Sequence, residues 1–258
     1  MSRIGERFAR LRAEGRKAFV AFVTAGDPSL ERTVEVAFAL EAGGADVLEL
    51  GVPFSDPLAD GPVIQRASER ALGRGTTLAA VLEAVRRVRQ QSELPIVLFS
   101  YANPLLRYGL ERLAGDACAA GVDGVLVTDL PPEEAGEWLP AARQADLDTI
   151  FLAAPTSSDE RLRRVAEATR GFVYAVSRTG VTGEKDSLSG DARPLVARLR
   201  ALTDVPVALG FGISTPEQVQ AAAGVADGVV VGSALVRFLE EHPDGDVAEK
   251  MRWLKSAL

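Results

Sequence analysis

Residues 18–44 read AFVAFVTAGDPSLERTVEVAFALEAGG, and this stretch decides the fold. Ala18-Phe19-Val20-Ala21-Phe22-Val23 is an unbroken apolar run of strand length, the pattern of a strand covered on both faces. Gly26-Asp27-Pro28 makes a turn, and Leu30 to Ala42 carries a helical pattern that ends at Gly43-Gly44. One strand, one turn and one helix therefore form a unit.

Outward from it, the unit recurs. Ile4, Phe8 and Leu11 at helical spacing place an amphipathic helix ahead of the first strand. Further strands are expected at Asp46 to Leu50, Pro95 to Phe99, Gly124 to Val127, Thr149 to Leu152, Phe172 to Val176, Val205 to Leu209 and Gly228 to Val231. Helical patterns separate them: two segments across Val63 to Gln91, then Leu110 to Ala120, Glu133 to Ala145, Asp159 to Ala168, Ala192 to Leu202, Pro216 to Ala223 and Ala234 to Glu241. Eight alternations of short, fully apolar strands with helices match a (β/α)₈ barrel better than a doubly wound sheet. The expectation is one α/β domain over residues 1–258, with an extra N-terminal helix and long loops after strands two and six.

Composition narrows the function. The chain is 47% hydrophobic and carries a net charge of −7, so neither nucleic acid nor an anionic membrane is the expected partner. No membrane-length apolar run or leader is read from the sequence, and the expected location is the cytosol. The one cysteine, Cys118, lies in an Ala-rich helical stretch and is expected to be a small packing residue. A histidine triad or histidine-rich metal site is disfavoured because His242 is the sole histidine. The lysines, Lys17, Lys185, Lys250 and Lys255, do not end apolar strands where a Schiff-base amine would be desolvated. Carboxylate and hydroxyl chemistry remains.

The carboxylates stand out at Val47-Leu48-Glu49-Leu50, where Glu49 sits among water-excluding residues, and at Asp60 in the Pro/Gly-punctuated loop that follows. Desolvation raises the Glu49 pKa, whereas a loop Asp60 is expected to stay ionised, and two carboxylates pushed apart in this way form an acid/base pair. Loops that follow strands share the barrel's active face, so the long loops converge with Glu49. Gly-rich turns end strands six, seven and eight, at Arg178-Thr179-Gly180-Val181-Thr182-Gly183, Gly210-Phe211-Gly212-Ile213-Ser214 and Gly232-Ser233-Ala234. The first suits a lid over an anion, and the others, beside a helix N-terminus, suit a phosphate.

The segments ELGVPFSDPLADGPVIQ (49–65), FVYAVSRTGVTG (172–183), GFGIS (210–214) and FVTAGDP (22–28) occur in order over almost the whole chain, and together they resemble the tryptophan synthase alpha subunits. The resemblance implies a TIM barrel that cleaves indole-3-glycerol phosphate to indole and glyceraldehyde 3-phosphate. It implies no cofactor in this chain, and a partner beta subunit carrying pyridoxal phosphate within an alpha2beta2 assembly. It gives Glu49 the proton transfers, Asp60 the indole N–H, and Tyr174 a place beside the glycerol, with Thr182 joining Asp60. Gly183, Gly212, Gly232 and Ser233 would hold the phosphate. Phe22, Ile64, Phe99, Leu126 and Phe211 would form the slot for the indole ring. The partner surface would use Asp56-Pro57, Tyr101-Ala102-Asn103-Pro104 and Asp129-Leu130-Pro131-Pro132. Phe172 departs from the family's usual tyrosine, and Ser100 and Pro104 are also unusual. Other readings are a stand-alone lyase, another phosphosugar barrel enzyme, or a non-catalytic chain that activates a partner.

Overall fold

Each strand of the sheet in the computed structural model, which describes residues 2–176, 192–210 and 212–258, runs parallel to its neighbours. The described strands are β1 (Ala18–Thr24), β2 (Val47–Gly51), β3 (Ile96–Ser100), β4 (Gly124–Val127), β5 (Asp148–Ile150), β6 (Leu152–Ala153), β7 (Val173–Val176), β8 (Val207–Gly210) and β9 (Gly228–Val231). Their order is β5-β4-β3-β2-β1-β9-β8-β7-β6. The fifth expected strand is thus split at Phe151, its first half pairing with β4 and its second with β7. The Phe151 carbonyl itself accepts the Tyr174 N–H at 3.0 Å, so the sheet closes into the expected barrel across residues 148–153.

Side-chain parity sorts the core into two layers. Val20, Phe22, Val47, Val97, Phe99, Leu126, Ile150, Tyr174, Ala208 and Val230 point into the barrel. Phe19, Ala21, Leu48, Leu50, Leu98, Val125 and Val229 point out toward the helices. Helix α1 (Arg3–Ala13) adds Ile4, Phe8 and Leu11 to the inner set and so closes the bottom of the barrel. Phe172 packs there, its ring 5.6 Å from that of Phe8, and it does not face the upper cleft.

The outer helices are α2 (Leu30–Ala42), α3 (Pro62–Gly73), α4 (Leu78–Arg89), α5 (Ala102–Tyr108), α6 (Leu110–Ala120), α7 (Trp138–Gln144), α8 (Asp159–Ala168), α9 (Ala192–Arg200), α10 (Pro216–Ala223), α11 (Ser233–Glu241) and α12 (Val247–Lys255). Several differ from the sequence reading. The helix expected from Glu133 begins only at Trp138, because Pro140 lacks an N–H and is tolerated only in a first turn; turns occupy the residues before it. Pro95 and Pro206 likewise have no N–H for the ladder, and their strands start one residue later, at Ile96 and Val207. Helix α5 was not expected from the sequence: Asp129 accepts the Ala102 N–H at 2.7 Å, and Pro104 falls in its first turn. Cys118 is exposed rather than packed, since Leu113, Ala114, Ala117 and Ala120 form the inner face of α6.

A repeated device pins the strand starts. Asp46, Asp123 and Asp227 immediately precede β2, β4 and β9. Each accepts an N–H from the first or second residue of an adjacent strand, Phe19 at 2.9 Å, Ile96 at 2.7 Å and Val207 at 3.0 Å. In return, the aspartate N–H groups donate to the carbonyls of Phe19, Ile96 and Val207. Arg89 and Arg3 complete the Asp123 site at 2.6 and 3.0 Å. Lys255 does so for Asp46 at 2.8 Å, and Arg200 for Asp227 at 3.1 Å.

Removing one member of a buried charged cluster leaves the others unpaired and costs about 3–5 kcal/mol. Asp123→Ala is therefore expected to lower the urea-unfolding free energy by about that amount, whereas Asp159→Ala, which breaks an exposed pair with Arg198, should cost under about 1 kcal/mol.

Candidate active site

The C-terminal ends of the strands surround a cleft of about 420 Å³ lined by Phe22, Glu49, Asp60, Ile64, Phe99, Tyr174, Gly212, Ile213, Val230, Gly232 and Ser233. Strand parity brings Glu49 there: Leu48 and Leu50 belong to the outer layer, and Glu49 between them lies opposite Phe22 of β1 and Val97 of β3. Its side chain is fully buried and neither carboxyl oxygen has a hydrogen-bond partner among the described residues. Burial pushes its pKa up to about 8. With no hydrogen bond favouring the anion, the neutral acid dominates at neutral pH.

Asp60 reaches the cleft from the loop between β2 and α3. That loop is folded back by a turn from the Pro57 carbonyl to the Asp60 N–H and is held by Gln65, whose amide donates to the Asp60 carbonyl at 2.8 Å. Although it sits in a loop, Asp60 is buried, only 6% exposed. Burial raises its pKa to about 6, against the hydrogen bond from Tyr101 that lowers it. It remains mainly ionised at pH 7, so the two carboxylates hold their protons to different degrees.

Tyr101 is the residue that the sequence reading misplaced. It belongs to no exposed surface, being 4% exposed. Its hydroxyl donates to Asp60 Oδ2 at 3.0 Å and accepts the Ala59 N–H at 3.1 Å, while its ring packs 5.2 Å from that of Phe54. Ser100, just before it, is buried too. No periodicity announces such a bond between two loops.

Tyr174 is buried in the cleft wall, and burial first, then the charges of Glu49 and Asp60, raise its pKa. Two glycines make room for the rings. A Cβ at Gly210 would run into the Tyr174 hydroxyl, and one at Gly51 would come within 2.7 Å of Phe22 Cζ. Phe22 and Phe99 meet edge to face with ring centres 5.1 Å apart, which gives the cleft an apolar side.

Two strands along from Glu49, past β1, Gly232 precedes α11 with no side-chain cap. The first-turn N–H groups of a helix have no partner within it, and their dipoles favour an anion. Gly212 faces the same corner with φ +81°, a left-handed conformation that favours glycine.

Of the residues proposed from sequence, Phe22, Glu49, Asp60, Ile64, Phe99, Tyr174, Gly212, Gly232 and Ser233 share the cleft. Leu126 is buried in the barrel interior and is not part of the lining. Thr182, Gly183 and Phe211 lie outside the described residues. Ile213 and Val230 are additional lining residues. Val230 was readable from parity, since it pairs with Val20 of the inner layer; Ile213 sits in a loop with no periodic signal. Among the described residues no group of histidine, cysteine, aspartate and glutamate could hold a metal ion, and no helix is long and apolar enough to cross a membrane.

Comparison with known proteins shows the family and the fold. Residues 8–257 match the family model for the tryptophan synthase alpha chain. The chain is 55% identical to the tryptophan synthase alpha chain of Solibacter usitatus, over 96% of this chain and 93% of that one. It is 54% identical to that of Geobacter sulfurreducens, over 100% and 98%. It superposes on a chain of Mycobacterium tuberculosis tryptophan synthase with TM-score 0.93 at 42% identity, covering 99% of this chain and 98% of that one. The tryptophan synthase subunit alpha of Legionella pneumophila gives 0.90 at 38% identity, covering 100% and 97%.

The burial of Glu49 has a measurable cost. Its folded pKa of about 8 lies above the unfolded value of about 4.3, so the stability tied to its proton is complete below the unfolded value and is lost as pH rises toward the folded one. Glu49→Gln, neutral throughout, is expected to match the parent in urea unfolding near pH 4 and to exceed it by several kcal/mol near pH 8.

Proposed function

The chain belongs to the tryptophan synthase alpha chain family, carbon–carbon lyases that cleave indole-3-glycerol phosphate to indole and glyceraldehyde 3-phosphate, and we propose that Glu49 and Asp60 carry that cleavage here. The observation that carries this reading is the ordering of their proton affinities, about 8 for Glu49 and about 6 for Asp60. At neutral pH this leaves an acid and an anion in one water-poor cleft.

Glu49 starts as the neutral acid and gives its proton to indole C3. The ring becomes an indoleninium cation, whose N–H donates to ionised Asp60. The Glu49 carboxylate just formed then takes the proton of the glycerol hydroxyl next to the ring. The bond from C3 to that carbon breaks, its electron pair restores the aromatic indole, and the carbinol carbon becomes the aldehyde. Glu49 ends protonated, ready for the next cycle. Phe22, Ile64 and Phe99 supply the apolar slot for the ring, and Tyr174 flanks the glycerol. Gly212, Gly232 and Ser233 take the phosphate at the α11 N-terminus without a lysine, with Thr182, Gly183 and Phe211 completing the site. The cleavage asks nothing of a metal or cofactor in this chain.

The released indole passes to a beta subunit on the same face, in an alpha2beta2 assembly whose partner carries the pyridoxal phosphate. Leu58 is 85% exposed on the Asp60 loop and Leu106 is 60% exposed on α5. Large apolar side chains left in solvent on this face suit a docking surface.

Indole release from indole-3-glycerol phosphate, measured with and without the beta subunit, tests the reading. Glu49→Gln should lose about 10²–10⁴-fold in turnover while remaining folded, and full turnover in that variant would remove Glu49 from the mechanism. Activity unaffected by the beta subunit would favour a stand-alone lyase.

The same assignment fixes the pH profile. kcat/KM should rise through a pKa near 6, as Asp60 ionises, and fall near 8, as Glu49 loses its proton. Tyr101→Phe deletes the hydrogen bond that holds the Asp60 pKa down, so its rising limb should move to higher pH while the falling limb stays.

A further inference from the structure

Helix α3 breaks the one-helix-per-strand rule. In the ring around the barrel, α4 packs between α2 and α6, while α3 lies across α11 and the end of β1. Its position is consequential for the cleft. Its first turns carry Ile64, a wall residue, and Gln65, which holds the Asp60 carbonyl. The helix it lies on, α11, begins at Ser233, which lines the same cleft.

The two helices are joined through Glu240 by one forked and one single ion pair. Arg66 and Arg70, one turn apart on α3, both reach Glu240 near the end of α11: Arg66 through Nε and Nη2 at 2.9 and 2.7 Å, Arg70 through Nη1 at 2.8 Å. Arg70 turns its other edge to Asp27, in the loop after β1, with Nε and Nη2 at 2.9 and 2.7 Å. Asp27 is buried, and the Arg70 side chain is 32% exposed. Arg74 adds a bond to the Pro28 carbonyl in the same loop.

Partly exposed ion pairs add little stability. Bidentate guanidinium–carboxylate pairs do fix direction, since two parallel bonds allow one relative orientation. We propose that Arg70, bridging Asp27 and Glu240, is a positioning residue that sets the spacing between the Asp60 end of the cleft and its α11 end, matching it to a ligand that carries a ring and a phosphate on one chain. The inference rests on the reading of the site above. A strut of this kind matters little to a ligand that occupies one end, and much to one that must occupy both, because a misplacement of about 1 Å can cost about 10²-fold in a two-point fit.

The test uses the full chain and three probes in titration calorimetry: indole, inorganic phosphate and the non-cleavable indole-3-propyl phosphate. In Arg70→Gln and, independently, Glu240→Gln, indole and phosphate should keep their dissociation constants within about twofold, while the joined ligand weakens by about 10-fold or more. kcat/KM for cleavage should fall in parallel. Arg70→Lys should fail to rescue the joined ligand, because an ammonium keeps the charge but not the fork. Unchanged binding of the joined ligand in both variants would overturn the strut, as would an equal weakening of all three probes or full rescue by lysine. If the parent protein bound the joined ligand without displacing indole and phosphate, the reading of the site itself would fall, and the strut with it.

Discussion

The structure depends on a carboxyl group held where water does not reach. Glu49 lies on the inner face of β2, in a layer otherwise filled by Phe22, Val97, Phe99 and Tyr174, and has no hydrogen-bond partner among the described residues. A soluble protein ordinarily keeps such a group out of its core. Here the barrel leaves it no alternative rotamer into solvent, since strand parity that sends Leu48 and Leu50 outward sends Glu49 inward. A slip of one residue would bury Leu48 and Leu50 inside and move the carboxylate among the helices, so the register of β2 settles fold and chemistry together.

Stability is supplied at the other end of the barrel. The Asp46, Asp123 and Asp227 clamps, each accepting a strand N–H and returning its own, hold strands in register at the bottom, and α1 seals the interior above them with Ile4, Phe8 and Leu11. This division follows the general plan of such barrels, with the active face at the C-terminal ends of the strands and the opposite face devoted to stability. It also explains Phe172. Two residues before Tyr174 on the same inner face, it belongs to the bottom layer against Phe8, so the absence of a hydroxyl there does not alter the cleft wall.

Much of this was legible in the sequence, for reasons that also mark the limit. Continuous apolar runs locate strands buried on both faces, and the capped helices Leu30–Ala42 and Asp159–Ala168 have the read boundaries because Ser29 and Ser158 signal their starts. Glu49 was visible because one polar residue interrupts an apolar run. What escaped depends on contacts between distant segments. Tyr101 is a loop aromatic until the fold sets its hydroxyl on Asp60, and that placement is also what removes Asp60 from water. Helix α5 needs Asp129 from the next loop to cap it. Helix α12 was readable and missed: Val247, Met251 and Leu254 are its buried face, behind an Asp246 cap.

The carboxylates are finally sorted by their access to arginine. Arginine far outnumbers lysine in this chain, and guanidinium groups take the points where direction matters, Arg89 on Asp123 and Arg66 and Arg70 on Glu240. Glu240, gripped by the Arg66 fork and by one Arg70 nitrogen, is held down to about 2; it is a fixed anion, useful as an anchor and useless as a proton carrier. Glu49, with burial and no cation, is driven up to about 8. Asp60 lies between them, raised by burial and restrained by one neutral hydroxyl. A guanidinium in place of that hydroxyl would bind the aspartate as tightly as Glu240 is bound and satisfy the anion before any ligand arrived. A tyrosine leaves Asp60 ionised, oriented and incompletely satisfied, which is the state an anion needs in order to gain from the developing positive charge of an indole ring.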